Sequence, residues 1–355
     1  MRKPKVIILY NKLFHYRIPI WNLLAEKCDL TVAYSEGNGN VPEGVKCRFH
    51  IMYIPARRVA KRFVIQKRNI RKLTKAYDAV IAYGDISWIK YSTLPWFNKT
   101  KVVFHTLGVS ANYDKGYDNH HEWDKIRKFF YSKADALAFY TSFPIEKYVS
   151  MGVPREKMFE APNTVEVKPS REVLAKDSLL FIGTLYKQKG IQSLLDSYLT
   201  LKDLKGLPKL RIIGNGPDFE SISEWVKDHD LGNFIEMLGA IYDVTEKAKY
   251  FAMSFACISP KQAGLSVLES MGYGIPFITT KNAITGGELA NVHNGVDGII
   301  MNDESQLTDV IKDIVMHKEK YIDMGRKAQQ FYNENRTPQH MANGLWNSVK
   351  YAIEH

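Results

Sequence analysis

From Ser254 to Ile300 the chain reads SFACISPKQAGLSVLESMGYGIPFITTKNAITGGELANVHNGVDGII, and its residue types and spacing point to chemistry on an anion. Residues 255–259 form an apolar run of buried-strand length that Pro260 stops. From Gly264 the residues Leu265, Leu268, Met271 and Gly272 fall at helical spacing, so a strand feeds directly into a helix start. The free N–H groups of a first helical turn, reinforced by the helix dipole, attract a diphosphate or a similar anion. Gly264 lacks a Cβ and lets such a group approach the backbone. Glu269 lies five residues into the helix, where its carboxylate could accept two hydrogen bonds from vicinal hydroxyls such as those of a ribose. The segment also fits an ordinary helix of an α/β sheet with Glu269 on its surface. A second Gly-Gly turn, Gly286-Gly287, reads as the opening of another helix.

Other groups suit the same anion. Gly183, Gly190, Gly214 and Gly216 lie in turns just after strand-like runs, and Lys187 and Lys189 occupy the first of these turns. Cations there suit a diphosphate, although their composition also fits solvated lysines. The first domain has no Gly-rich loop after its first strand, which argues against a nicotinamide dehydrogenase. His105 ends the run VVFHTLG, at the sheet edge where ligands of open α/β sheets gather, and there it is either a site residue or a packing residue. His120 and His121 are adjacent and point apart. Asp228 and Asp230 form a D-x-D at a helix end and read as surface, so no metal or other cofactor is expected.

The elements that must position these groups alternate along 355 residues, of which 45% are hydrophobic. Strand-like runs at 5–10, 29–34, 45–54, 78–83, 101–105 and 133–140 are separated by helical ones, and the alternation restarts after APNTVEVKPS. Two Rossmann-like βαβ domains are the simplest account. Residues 1–162 form the first domain, 163–170 the linker and 171–335 the second domain. Residues 336–355 form a helix, capped by Thr337 and started by Pro338, that packs back on the first domain.

Net charge is +11 overall, yet residues 1–75 hold 17 basic and 4 acidic side chains, a net +13. Residues 57–75, RRVAKRFVIQKRNIRKLTK, contain nine Lys or Arg and no acid. Val59, Phe63, Ile70 and Leu73 recur near helical spacing, so the segment reads as a basic amphipathic helix. Arg57, Arg58, Lys61, Arg62, Arg68 and Arg71 would then face an anionic membrane surface, or else solvate the outer face of an ordinary helix. No reader motif or aromatic interleaving points to nucleic acid. The start has too few apolar residues for a signal peptide, and Cys28, Cys47 and Cys257 fit neither a disulfide framework nor a zinc site. The expected location is the cytoplasm, peripheral at the inner face of the membrane.

FIGTLYKQKG, LRIIGNGP, MLGAIYD, GLSVLESMGYGIPFI, GGELANVHNGVDGII and PNTVE together resemble the motifs of family 4 glycosyltransferases, which have the GT-B fold. The resemblance covers residues 160–302, while the first domain matches only in layout. It implies two Rossmann-like domains with a cleft between them and a retaining, metal-independent transfer of a sugar from a UDP-type donor to a glycan or lipid-linked acceptor. Cell-surface polysaccharide assembly is the implied setting.

Residue by residue, the resemblance implies that Lys189, with Lys187, holds the diphosphate and that Glu269 holds the ribose. It implies further that the amides of Gly264, Leu265 and Ser266 face phosphate or sugar, that Gly239, Ala240 and Ile241 flank the base, and that Gly183 and Gly214 shape the turns. His105 would lie near the reacting sugar, and His15 and Arg17 on the acceptor side. Two positions depart from the pattern: Thr184 replaces an Arg, and Lys261 replaces the first Glu of E-x7-E. A charged Lys cannot accept a hydrogen bond from a sugar hydroxyl. Lys261 therefore suits a uronate donor, or binds phosphate, or is drawn away by the short SPKQAG loop. An inactive nucleotide-binding scaffold and a nucleotide-sugar epimerase of the same fold are the alternatives.

Overall fold

The computed structural model describes residues 2–97, 99–112, 116–170 and 172–355. The chain divides into two compact units. One comprises the residues up to Ser110 with Asp118–Val165 and Arg336–His355, and the other comprises Ala111–Tyr117 and Glu166–Asn335.

The first unit is built on a seven-stranded sheet that runs, edge to edge, Met158–Glu160, Ala136–Phe139, Lys101–Thr106, Ala79–Tyr83, Lys5–Lys12, Asp29–Glu36 and His50–Tyr53. All pairings are parallel. Its interior strand KVIILYNK is buried from Val6 to Tyr10, as a strand with helices on both faces must be. The closing helix Pro338–Glu354 belongs to this unit. Met341, Leu345, Val349 and Ala352 pack into the same core as Trp21 and Leu24, and Thr337 with His340 forms a capping box at its start.

Gly344 brings this helix against the backbone, because a Cβ there would sit 2.1 Å from the Glu160 carbonyl oxygen. Alanine gains about 1 kcal/mol of helix propensity over glycine, but the overlap costs more. Gly344→Ala is expected to destabilise the protein by about 1–3 kcal/mol in urea unfolding, and an unchanged midpoint would refute that close packing.

The second unit has a six-stranded parallel sheet in the order Ile235–Gly239, Lys209–Ile213, Ser178–Ile182, Ser254–Ile258, Phe277–Thr280 and Gly298–Met301. Strand succession reverses between Ser178–Ile182 and Ser254–Ile258, and at such a switch point ligands of open α/β sheets bind. Both halves are Rossmann-like, as the alternation predicts.

Several expectations are corrected. The basic segment is no amphipathic helix: Ala56–Val59 and Phe63–Gln66 form an antiparallel hairpin, with Ala60 and Lys61 at φ 50° and 56° in its turn, and only Ile70–Thr74 is helical. The period-2 run FVIQ governs there, with Val64 and Gln66 buried and Phe63 exposed. Strand 45–54 shrinks to His50–Tyr53. Strand 133–140 shrinks to Ala136–Phe139, because the preceding helix runs through Lys133. The Gly286-Gly287 turn opens only a single 3-10 turn, Glu288–Asn291.

Candidate functional site

In the second unit the candidate donor residues follow the carboxyl ends of the strands. Gly183 (φ 146°) follows Ser178–Ile182, and Gly214 (φ 152°) follows Lys209–Ile213. Gly183 N–H donates to Ile213 O at 2.9 Å, and Gly214 N–H donates to Gly239 O at 2.8 Å, so three strand ends are tied together. A Cβ on Gly214 would lie 1.9 Å from the Gly183 carbonyl oxygen, so only glycine fits this turn. Lys187–Lys189 form a 3-10 turn that Gly190 (φ 70°) closes, opening the helix Ile191–Leu201. Thr184 and Lys187 are exposed.

Lys189 is different. Its Nζ lies 3.0 Å from where a Gly183 Cβ would be, it has no hydrogen-bond acceptor or carboxylate among the described residues, and burial lowers its pKa to about 8. Its Nζ lies over the Tyr186 ring at 5.6 Å, and a half-buried cation held by a ring and not by a carboxylate is poised for an anionic ligand.

Across the switch point, Gly264 caps the helix Leu265–Gly272, and the space where its Cβ would point is open. The first-turn amides of Leu265 and Ser266 have no acceptor within the helix. On the third turn-forming edge, Gly239 (φ 70°) ends its strand with Ala240 and Ile241 in the loop beyond.

Glu269 is ion-paired with Lys247 of the helix Val244–Ala252, and both side chains are largely buried, at 12% and 17% exposure. Lys261 is not an isolated cation. Its Nζ lies 3.0 Å from the Glu304 carboxylate, which also accepts from Ser193 Oγ at 3.0 Å. The Lys261 stem crosses Gly190, where a Cβ would come within 2.7 Å of its Cγ. Lys261 and Glu304 line a polar recess of about 440 Å³ with Gln188, Thr280, Asn282 and Asn302. Neither Lys247 nor Glu304 stands out in the sequence, since each lies tens of residues from its partner on another element.

In the first unit His105 is buried beside Tyr140 (ring centroids 4.6 Å) and Tyr10 (6.1 Å). Its Nε2 has no partner among the described residues. Burial first, and the positive charge of Arg17 second, push its pKa well below the ordinary value, so the ring is neutral. Arg17 donates to Asn163 Oδ1 at 2.7 Å and stacks over Tyr140, and the hydroxyls of Tyr10 and Tyr140 are hydrogen-bonded to each other. Tyr10 and Tyr140 carry no motif that would single them out, and Asn163 lies in the PNTVE stretch with no role implied for it there. His15 is exposed on the same loop as Arg17, edge-on to Tyr16. Asp118, His121 and Asp124 are the one group among the described residues that could hold a metal, but Lys147 Nζ already lies 2.7 Å from Asp124. Asp228 ends a helix and Asp230 lies in the turn after it.

Residues 164–331 match the family model described as glycosyl transferases group 1. D-rhamnosyltransferase WbpZ of Pseudomonas aeruginosa is 25% identical over 213 residues, 58% of this chain and 52% of WbpZ. An uncharacterized glycosyltransferase of Methanocaldococcus jannaschii, MJ1069, is 28% identical over 218 residues, 58% and 50% of the two chains. The match thus spans about half the length of these relatives. Among solved structures, Anabaena Alr3699/HepE in complex with UDP superposes with a TM-score of 0.72 at 13% identity, over 98% of this chain and 99% of that one. The fold is GT-B.

Proposed function

We propose that the chain is a glycosyltransferase that moves a sugar from a nucleotide-sugar donor, UDP-linked, to a glycan or lipid-linked acceptor, by the retaining and metal-independent route of family 4. The observation that carries this reading is Lys189, a half-buried cation without a carboxylate partner among the described residues, at the switch point of a sheet where Gly264 opens the helix that carries Glu269. A UDP-binding neighbour of the same fold and the group 1 model over the second unit support it. Charge develops on the leaving diphosphate as the sugar departs. Lys189, Lys187 and the first-turn amides at Gly264–Ser266 stabilise that charge without a divalent ion. Glu269 orients the ribose, and the first unit contributes His105, His15 and Arg17 to the acceptor side. His105 is neutral, so it serves as a hydrogen-bonding group and not as a charge.

Among the described residues no helix is long and apolar enough to cross a membrane. The hairpin exposes Arg57, Arg58, Lys61 and Arg62 beside Val59 and Phe63, a mixture of cations and apolar side chains suited to an anionic lipid surface. We assign the acceptor's approach to that surface, in cell-surface glycan assembly.

Glu304 already supplies a carboxylate to Lys261, so the donor sugar need not be acidic. In a transfer and hydrolysis assay across UDP-glucose, UDP-N-acetylglucosamine and UDP-glucuronate, a neutral donor should be used at least as well as the uronate, and Lys261→Glu should not change that order. A wild-type preference for UDP-glucuronate that the variant loses would return Lys261 to a uronate role. No turnover of any donor, with nucleotide still bound, would point to a scaffold instead.

A further inference from the structure

The basic segment of the first unit folds around a recess of about 310 Å³ lined by Lys67, Asn69, Ile70, Arg71, Lys90 and Thr93. Three of these side chains are cations and none is an acid, and residues 44–77 contain no Asp or Glu at all. At a share of about 30 Å³ per water, the recess has room for about ten waters, more than a phosphate group needs. Lys67 and Arg71 are exposed and Lys90 is half-buried, and the contacts of Lys90 and Arg71 leave donors unspent. Lys90 Nζ donates to the carbonyls of Gln66 (2.6 Å) and Arg68 (3.1 Å), which uses two of its three N–H bonds. The Arg71 guanidinium lies over the Phe97 ring at 3.9 Å, which engages its face and leaves its N–H edge without an acceptor among the described residues. Lys67 has no ion pair among them either. Exposed charges scattered on a surface are screened and weak, but three cations lining one recess with no acid among them suit a compact dianion.

We infer that this recess is a phosphate-binding site, separate from the donor residues of the second unit, formed by Lys67, Arg71 and Lys90 with Asn69 and Thr93 at its rim. Its ligand is a phosphomonoester, whether a lipid headgroup or a soluble phosphate, and recognition is by charge-assisted hydrogen bonds to the phosphate oxygens. The site goes beyond the transferase reading, since nothing in donor chemistry requires it.

The test is calorimetric titration of the full chain with sn-glycerol 3-phosphate, alongside co-sedimentation with phosphatidylcholine vesicles that do or do not contain phosphatidic acid. Lys67→Gln/Arg71→Gln should weaken binding of the phosphate probe by about tenfold or more, as loss of two charge-assisted bonds implies. Lys72→Gln/Lys75→Gln removes the same charge from the same segment outside the recess, and should keep the affinity within about twofold if only diffuse attraction is altered. Lys189→Met should leave this binding unchanged, which separates the recess from the donor unit. Loss of phosphatidic acid vesicles together with the soluble probe identifies a headgroup among the ligands, and retention of vesicles with loss of the soluble probe identifies a soluble one. Equal losses in the two double variants, or no binding of either probe by wild type, would overturn the site.

Discussion

Lys189→Met is expected to lower kcat by about 100- to 1,000-fold and to weaken UDP and inorganic pyrophosphate alike, because a preorganised cation facing the diphosphate is removed. The effect is large for the reason that Lys189 is unusual. Its side chain is half-buried, no carboxylate among the described residues shares it, and an arriving anion offsets the cost of that burial. The same fact dictates a pH dependence. Burial places the pKa of the free protein at about 8, and a bound diphosphate raises it. UDP affinity should therefore be flat below about pH 8 and fall as pH rises further, because binding must then take up a proton. Lys189→Arg, which stays charged, should remain flat across the range. The sign for folding is opposite. With a folded pKa of about 8 against 10.5 for an ordinary lysine, the unfolded chain binds more protons between these values, so this group's contribution to stability rises with pH there. A pH-independent UDP affinity in wild type would remove Lys189 from the diphosphate.

Glu269→Ala should cost about 1.5–3 kcal/mol in kcat/KM, the loss of charge-assisted hydrogen bonds to the ribose. Unlike the Lys189 variant, it should leave pyrophosphate affinity unchanged, since pyrophosphate has no ribose. The variant also strands Lys247, whose side chain is only 17% exposed, so a stability loss of up to about 3 kcal/mol accompanies the kinetic one. Lys247→Met tests the partnership from the other side. It should raise KM for the nucleotide sugar more than it lowers kcat, with rescue by Lys247→Arg. Equal loss of UDP and pyrophosphate binding in Glu269→Ala would mean that the site has collapsed and that no specific contact was measured.

The sequence shows the sheet-and-turn frame clearly because strand runs such as KVIILY and SLLFI are continuous apolar stretches, the second ended by Gly183. Two Rossmann-like halves follow from that alternation, while the GT-B fold is implied by the motif resemblance over residues 160–302. Gly183, Gly214 and Gly264 are legible for the same reason, since each lies where a strand must turn. The hairpin at Ala56–Gln66 is not legible. Its apolar residues coincide with helical spacing at 59, 63, 70 and 73, and four residues of period-2 pattern are too few to outweigh that. Least legible are the ion partners. Lys247 meets Glu269, and Glu304 meets Lys261, across elements whose adjacency is set by tertiary packing. Local spacing carries no trace of either pair, although both decide how charge is distributed around the donor residues.

The central claim, that the second unit binds a nucleotide sugar without metal through Lys189 and Glu269, is tested most directly by titrating UDP into the full chain calorimetrically in the presence of EDTA. The account predicts saturable one-to-one binding that Lys189→Met and Glu269→Ala each weaken by tenfold or more, on the order expected for loss of a charge-assisted contact. Absence of binding by wild type, or full affinity in both variants, would contradict it.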